Sequence, residues 1–246
     1  MSKLAVIGGT GLSGLGDQDR NNRQVIETPF GLPSGALVET IINGKNIVFL
    51  PRHGEKHTIA PHRINYRANI WALQALGVTH IISVAAVGGI TPDTMPGYLV
   101  CPDQIIDYTY GREQSFFSDD FSAAKHIDFT YPYNQELREK IMTASKERGL
   151  DLIDRGVYGT TQGPRLESGA EIIKMAKDGC TIVGMTGMPE AALARELNIH
   201  YACCALVVNR AAGLSDSLIS MSEVEKIVKV GMSDVKLILR DIIEEY

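Results

Sequence analysis

The sequence lacks several features that mark whole classes of protein. No apolar run approaches the roughly 20 residues that a membrane-spanning helix needs, so we expect no membrane partner. Residues 1–9 enter a strand-like pattern too early for a secretory signal, which favours a cytoplasmic protein. A net charge of −5 disfavours nucleic acid as a partner, because non-specific binding needs a surplus of basic residues.

Cysteine is scarce, and its spacing is not that of a metal site. The four cysteines fall in strand-like segments, at Cys101, Cys180, Cys203 and Cys204. Buried thiols of this kind act as small hydrophobic residues in a reducing compartment. The sequence therefore predicts neither a disulfide framework nor a bound metal.

Strand-like apolar runs alternate with helical patterns along the chain, which predicts an α/β fold. An Asn43-Gly44 turn adds one early hairpin, so we expect a single domain over residues 1–246 with a mixed, mainly parallel β-sheet flanked by helices. The predicted strands are 3–7, 25–27, 36–42, 46–50, 78–86, 98–106, 155–160, 181–185 and 201–208. The predicted helices are 61–77, 134–148, 168–179, 189–197 and a closing helix from a capping box at Ser220 and Glu223, with an apolar stripe to Ile242. Residues 107–133 are a long polar and aromatic loop, which is more often functional than idle.

The stretch 46–57 carries basic side chains to the end of a strand. Its apolar run, 47–50, predicts a strand buried on both faces, and Pro51 ends it because proline has no N–H for a sheet ladder. The basic residues that follow are Arg52, His53, Lys56 and His57. This arrangement suits an anionic ligand, although a solvated basic turn is the alternative from this stretch alone.

Glycine-rich turns follow two other predicted strands. Gly9, Gly11 and Gly14 match G-x-G-x-x-G, which raises a dinucleotide-binding dehydrogenase as a rival. That fold needs a helix to open within the motif, and the composition of 15–22 excludes one. The turn suits a single phosphate instead, and the small-residue turn 87–89 is of the same kind.

Five motifs together resemble the trimeric purine nucleoside phosphorylases, and within them the methylthioadenosine phosphorylase branch. They are Gly-Gly-Thr-Gly at 8–11, Pro-Arg-His-Gly at 51–54, the segment 65–73, Gly-Pro-Arg at 163–165 and the segment 185–190. The resemblance runs nearly end to end. It implies phosphorolysis, in which inorganic phosphate cleaves a purine ribonucleoside to the base and a ribose 1-phosphate. It also implies a homotrimer that needs neither a cofactor nor a metal.

The resemblance assigns site residues by position. The family's phosphate positions fall on Thr10, Arg52, His53, Ala86 and Thr186, and at Ala85 the family often has a hydroxyl residue. The positions for the ribose and purine fall on Met185, Leu166, Glu167, Asn209 and Ala211; Leu166 replaces an aromatic residue, and a solvated charge is the alternative for Glu167. His57 and His126 match residues near the sugar's 5′ end, the latter from a neighbouring subunit, while His53 and Asn209 are the candidate catalytic residues.

Two departures from the branch bear on the substrate. Adenine-specific members carry aspartates where this chain has Asn209 and Ala211, and an asparagine amide suits a 6-oxopurine. No histidine follows His200 to bind a 5′-hydroxyl, and Ile219 and Met221 make that region apolar. We therefore expect S-methyl-5′-thioinosine as the preferred substrate, with methylthioadenosine or inosine and guanosine as the alternatives.

Overall fold

The computed structural model describes residues 2–9, 12, 22–42, 44–122 and 125–246. Within them, eleven strands join in one mixed sheet, and helices flank it. The strands are β1 Leu4–Gly8, β2 Arg23–Gln24, β3 Leu37–Ile42, β4 Lys45–Pro51, β5 His80–Gly89, β6 Leu99–Cys101, β7 Gln104–Asp107, β8 Leu152–Asp154, β9 Val157–Thr160, β10 Ile182–Gly184 and β11 His200–Arg210. The helices are α1 Tyr66–Ala75, α2 Gln135–Glu147, α3 Gly169–Lys177, α4 Glu190–Glu196 and α5 Met221–Glu244, with a 3₁₀ turn at Pro61–Arg63.

Strand β5 is the branch point of the sheet. It pairs in parallel with β1 over its first half and with β11 over nearly its whole length, from His80↔His200 to Gly89↔Arg210. Its last residues, Gly88 and Gly89, also pair with antiparallel β10. One arm therefore runs β2-β3-β4-β1-β5-β10-β9-β7, and the other runs from β11 through β6 to β8.

Two apolar cores lie on opposite faces of this sheet. Every residue of β1 is buried, and its side chains alternate: Ala5 and Ile7 join one core, Leu4 and Val6 the other. Burial on both faces is what a central parallel strand requires. Helices α1 and α4 contribute to the first core, and the apolar stripe of α5 fills much of the second. No described helix combines the length and the apolar character that a bilayer crossing requires.

The predicted fold class is confirmed, and the structure corrects several element boundaries. The predicted strand 98–106 is two strands, because Pro102 interrupts it and β6 and β7 then pair with different partners. Helix α1 begins at Tyr66, where the Asn65 side chain accepts from Ala68 N at 3.1 Å. The predicted capping box at Ser220 is wrong, since its side chain makes no capping bond. The box at Ser168 is present. Asn43 of the predicted turn lies outside the described residues.

Candidate active site

A cavity of about 500 Å³ opens where the parallel strands end. The strand ends that meet there belong to β1, β4, β5, β10 and β11, and open α/β sheets bind ligands at such carboxyl ends. Ala86 marks the cavity on β5, because it is exposed while both of its neighbours on the strand are buried. Of the predicted site residues, the cavity brings together Arg52, His53, His57, Ala86, Leu166, Glu167, Met185, Thr186, Asn209, Ala211 and Met221.

Two predicted site residues are not among those that line the cavity. Thr10 lies outside the described part of the chain. His126 lies in the long loop and lines a separate cavity of about 550 Å³ with Phe117, Lys125 and Arg195.

A bulge near the end of β11 positions Asn209. Val207 pairs with Val87 and Asn209 with Gly88, so Val208 is an extra residue in the ladder. Bulges of this kind re-aim side chains beside active sites. The Asn209 Nδ2 atom donates to the backbone oxygen of Arg210 at 2.7 Å, which leaves the amide oxygen and a second N–H to face a ligand.

Arg52 is held by a buried ion pair. Its Nε and Nη2 atoms donate to the two carboxylate oxygens of Glu190 at 2.7 and 2.8 Å, and the two side chains are 1% and 0% exposed. Burial alone would lower the pKa of Arg52, but the Glu190 carboxylate raises it above its usual value. Tyr201 also donates to Glu190, at 2.8 Å.

The remaining donors of Arg52 also point mostly into the protein. Nη1 donates to Val84 O at 2.8 Å, and Nη2 to Ser83 Oγ at 2.7 Å. Among the described residues these bonds occupy four of its five N–H groups. Phosphate binding by Arg52 therefore stays a prediction, and it depends on a single N–H group. Arg52 lines the cavity, but its first role is to hold the strand ends to helix α4, with one N–H left over.

His53 is a neutral acceptor rather than a cation. Burial, together with the nearby charge of Arg52, lowers its pKa to about 4. Its Nδ1 lies 2.8 Å from the backbone oxygen of Ile59 and must donate, because a carbonyl oxygen only accepts. Nε2 then carries a lone pair. His57, with its ring centroid 4.4 Å from that of His53, also has a lowered pKa through burial and Arg52.

The segments after β9 and β10 form the wall opposite His53. Gly163 has a positive φ of 61°, and a Cβ there would lie 2.5 Å from the sulfur of Met185, so the two segments touch only because residue 163 is glycine. Thr161 Oγ1 donates to Glu167 Oε1 at 2.6 Å and holds that carboxylate at the cavity. Thr186, also on this wall, is a buried hydroxyl.

One part of the cavity is lined mainly by apolar side chains, although Glu225 of α5 also lines the cavity. Met221, Val224, Val228 and Met232 of α5 line it, with Val208 of β11 and Ile219. These α5 residues share one helix face, because their spacing is three or four residues. The sequence predicted a pocket role for Met221 and Ile219 but not for Val224, Val228 and Met232, since an apolar helix face looks the same whether it meets a core or a ligand.

Potential metal ligands do not gather here. The described residues contain no group of three or more histidine, cysteine, aspartate or glutamate side chains that could hold a metal ion. The polar side chains that line the cavity are instead those of Arg52, His53, His57, Glu167, Thr186, Asn209 and Glu225. Such a set can hydrogen-bond a phosphate and a heterocyclic base.

Comparisons with known proteins place the chain in a family. Residues 3–244 match the Phosphorylase superfamily. A probable S-methyl-5′-thioinosine phosphorylase from Pseudomonas syringae pv. tomato is 50% identical over 239 residues, which cover 97% of each chain. The 6-oxopurine nucleoside phosphorylase of Pyrococcus furiosus is 42% identical over 245 residues, which cover 97% of this chain and 91% of the relative.

Solved structures agree with the sequence comparison. Methylthioadenosine phosphorylase from Schistosoma mansoni in complex with adenine superposes with a TM-score of 0.91 at 30% identity, covering 100% of this chain and 92% of that one. The family predicted from the five motifs is therefore confirmed. The chain belongs to the phosphorylase superfamily, among its nucleoside phosphorylases.

Proposed function

We propose that the protein cleaves S-methyl-5′-thioinosine with inorganic phosphate, giving hypoxanthine and 5-methylthioribose 1-phosphate. The observation that carries this proposal is the polarity of the cavity: an amide and a carboxylate, Asn209 and Glu167, line one part of it, while α5 lines another part with side chains that are apolar except for Glu225. The relatives near 50% identity bear the same activity in their names. The reaction serves purine salvage.

The base end favours a 6-oxopurine. Hypoxanthine presents O6 as an acceptor and N1–H as a donor, whereas adenine presents an N6 donor and an N1 acceptor. Asn209 donates to O6 and accepts from a protonated N7, and Glu167 accepts from N1–H. Adenine would place its N1 lone pair against the Glu167 carboxylate, and an unpaired buried polar group is what gives strong discrimination.

Phosphate binds at the strand ends in this proposal. His53 accepts a phosphate O–H through Nε2, Thr186 donates its hydroxyl, and the open backbone beside Ala86 lets the anion approach. Arg52 supplies positive potential and its one remaining N–H. Phosphate placed below the sugar stabilises the oxocarbenium-like charge, while Asn209 stabilises the negative charge that develops on the departing purine.

The 5′ end explains the preference for methylthio over hydroxyl. A methylthio group buried against Met221, Val224 and Val228 gains the hydrophobic contribution of its apolar surface. A 5′-hydroxyl there would lose its water and gain no donor or acceptor from these three side chains. Glu225 of α5 also lines the cavity, but it is exposed to solvent. Inosine is therefore the poorer substrate.

A homotrimer completes the site in this proposal. Phe121, in the same loop as His126, is 61% exposed, and its ring centroid lies 5.1 Å from that of His126. An exposed aromatic side chain in such a patch favours a subunit contact.

Sedimentation should give three times the chain mass. Mixing inactive His126→Ala and Asn209→Ala subunits should restore activity if His126 serves a neighbour's cavity. A fully active monomer would reject this assembly.

The reaction class is tested by the fate of phosphate. With methylthioinosine and phosphate, ³¹P NMR should show a sugar 1-phosphate resonance that grows in step with free hypoxanthine. Without phosphate, neither product should form, and a chelator should change nothing because the proposed mechanism uses no metal. Hypoxanthine release without phosphate would mean that the protein is a hydrolase.

A further inference from the structure

Arg112 lies in the long loop after β7. Its guanidinium donates six hydrogen bonds from five N–H groups, so at least one N–H group is shared between two acceptors. It is partly buried, and its guanidinium lies 5.4 Å from the centroid of the Tyr66 ring. Its acceptors are Met185 O (2.9 Å), Met188 O (2.6 Å) and Tyr66 Oη (3.2 Å) for Nη1, Thr161 O (3.1 Å) and Gln162 O (2.8 Å) for Nη2, and Gln162 Oε1 (3.1 Å) for Nε.

These acceptors belong to two different walls of the cavity. Thr161 and Gln162 begin the segment that continues to Leu166 and Glu167. Met185 and Met188 belong to the segment that carries Thr186. A single planar guanidinium therefore joins the purine side of the cavity to its ribose and phosphate side. The planar guanidinium of an arginine fixes the separation and orientation of its acceptors better than the compact charge of a lysine does.

The two walls continue from the paired strands β9 and β10, whose register runs from Ile182↔Tyr158 to Gly184↔Thr160. They meet at the close contact of Gly163 with Met185 and at the backbone bond from Thr161 N to Gly184 O, 2.8 Å. Both are at the base of the segments. Leu166, farther along the first segment, is 45% exposed and gains little from packing.

We propose that Arg112 is a positioning residue, which sets the distance between the wall that reads the purine and the wall that holds ribose and phosphate. The inference rests on the proposed function. Arg112 need not touch either substrate, because it acts through Met185, Thr161 and Gln162. Its loss should let the walls drift and raise the KM for both nucleoside and phosphate.

Arg67 supplies a matched control. It ties the same loop to helix α1, through Glu113 at 3.1 Å and Ser115 O at 3.4 Å, and its guanidinium lies 4.9 Å from the Phe30 ring centroid. None of those partners lines the cavity. If Arg112 only fastened the loop, the two arginines would behave alike.

The experiment compares Arg112→Ala, Arg112→Lys, Arg67→Ala and Arg67→Lys by thermal melting and by steady-state kinetics in both substrates. Arg112→Ala should lower kcat/KM by roughly a hundredfold, because small displacements of reacting groups cost that much. Arg112→Lys keeps the charge with three donors instead of five, so its loss should be intermediate, at about tenfold. The kcat/KM values of both Arg67 variants should stay within about threefold of the wild-type value, even if their melting temperatures fall as far as those of the Arg112 variants.

Equal losses of kcat/KM in the Arg67 and Arg112 variants would overturn the inference, as would an Arg112→Lys protein with unchanged KM values. If Arg112→Ala does not fold, Arg112→Lys alone decides. A failure of the proposed function would be recognised separately, because wild-type protein would then not cleave methylthioinosine. The four variants would in that case be compared with the nucleoside that the wild-type protein does cleave.

Discussion

Arg52 and Glu190, which are 138 residues apart in the sequence, form a two-bonded ion pair with side chains 1% and 0% exposed. Strand β4 delivers the arginine and the start of helix α4 delivers the glutamate. The pair thus connects two of the segments that build the cavity, and Tyr201 of β11 joins it from a third.

Removing the charge of Glu190 should destabilise the fold. Glu190→Gln leaves the Arg52 charge buried without its partner, which should cost on the order of 3 kcal/mol or more in the free energy of unfolding. The control is Asp241→Asn, which breaks the surface pair of Asp241 with Arg148 and should change the free energy of unfolding far less. Urea denaturation measures both. Similar costs for the two variants would contradict the structural role of the buried pair.

His53 should make stability depend on pH. Its pKa is about 4 in the folded protein against 6.5 normally, because burial disfavours the charged ring. Between these values the unfolded chain binds more protons, so the free energy of unfolding falls as the pH drops from 6.5 toward 4. The contribution of neutral His53 is fully present above pH 6.5.

The check is urea denaturation of wild type and His53→Gln at several pH values across that window. His57 also has a lowered pKa, so it too makes the free energy of unfolding fall as the pH drops. The His53→Gln protein should therefore show a shallower decline rather than none. Parallel curves for the two proteins would show that His53 is not held neutral.

Asn209 should set the choice of base. Asn209→Asp replaces the donor that faces O6 with an acceptor that suits N6, so the ratio of kcat/KM for methylthioadenosine to that for methylthioinosine should rise by about tenfold or more. Adding Glu167→Gln should raise the ratio further, because the amide can donate to N1 of adenine. An unchanged ratio in both proteins would mean that other residues read the base.

Met221 should set the choice of 5′ substituent. It lines the cavity and is 61% exposed, so Met221→Ala should fold normally. We expect kcat/KM for methylthioinosine to fall by roughly fivefold to tenfold, with little change for inosine, because only the methylthio group uses that contact. Val230→Ala, on the same helix but 71% exposed and away from the cavity, is the control and should change neither.

The family resemblance assigned most of the candidate site residues, and several of them also follow strand patterns. Buried strands are visible as apolar runs, and Arg52, Ala86, Thr186 and Asn209 fall in or just after them. The carboxyl ends of parallel strands meet at one edge of a sheet, which accounts for Arg52 and Asn209, whereas Thr186 follows β10, which runs antiparallel to β5.

Other features left no local signal. Nothing in the sequence near Arg52 reveals that Glu190 neutralises it, because the pairing depends on how α4 packs on the sheet. Nor does the sequence show what Arg112 binds, since most of its acceptors are backbone oxygens. Likewise the apolar stripe of α5 is divided between core and cavity by tertiary packing.

The most direct test of the proposed function is a comparison of kcat/KM for methylthioinosine, methylthioadenosine and inosine, each with saturating phosphate. The polar base end and the apolar 5′ end together predict that methylthioinosine has the highest value of the three. A higher value for inosine would contradict the proposed reading of the 5′ end, and a higher value for methylthioadenosine would contradict the roles of Asn209 and Glu167.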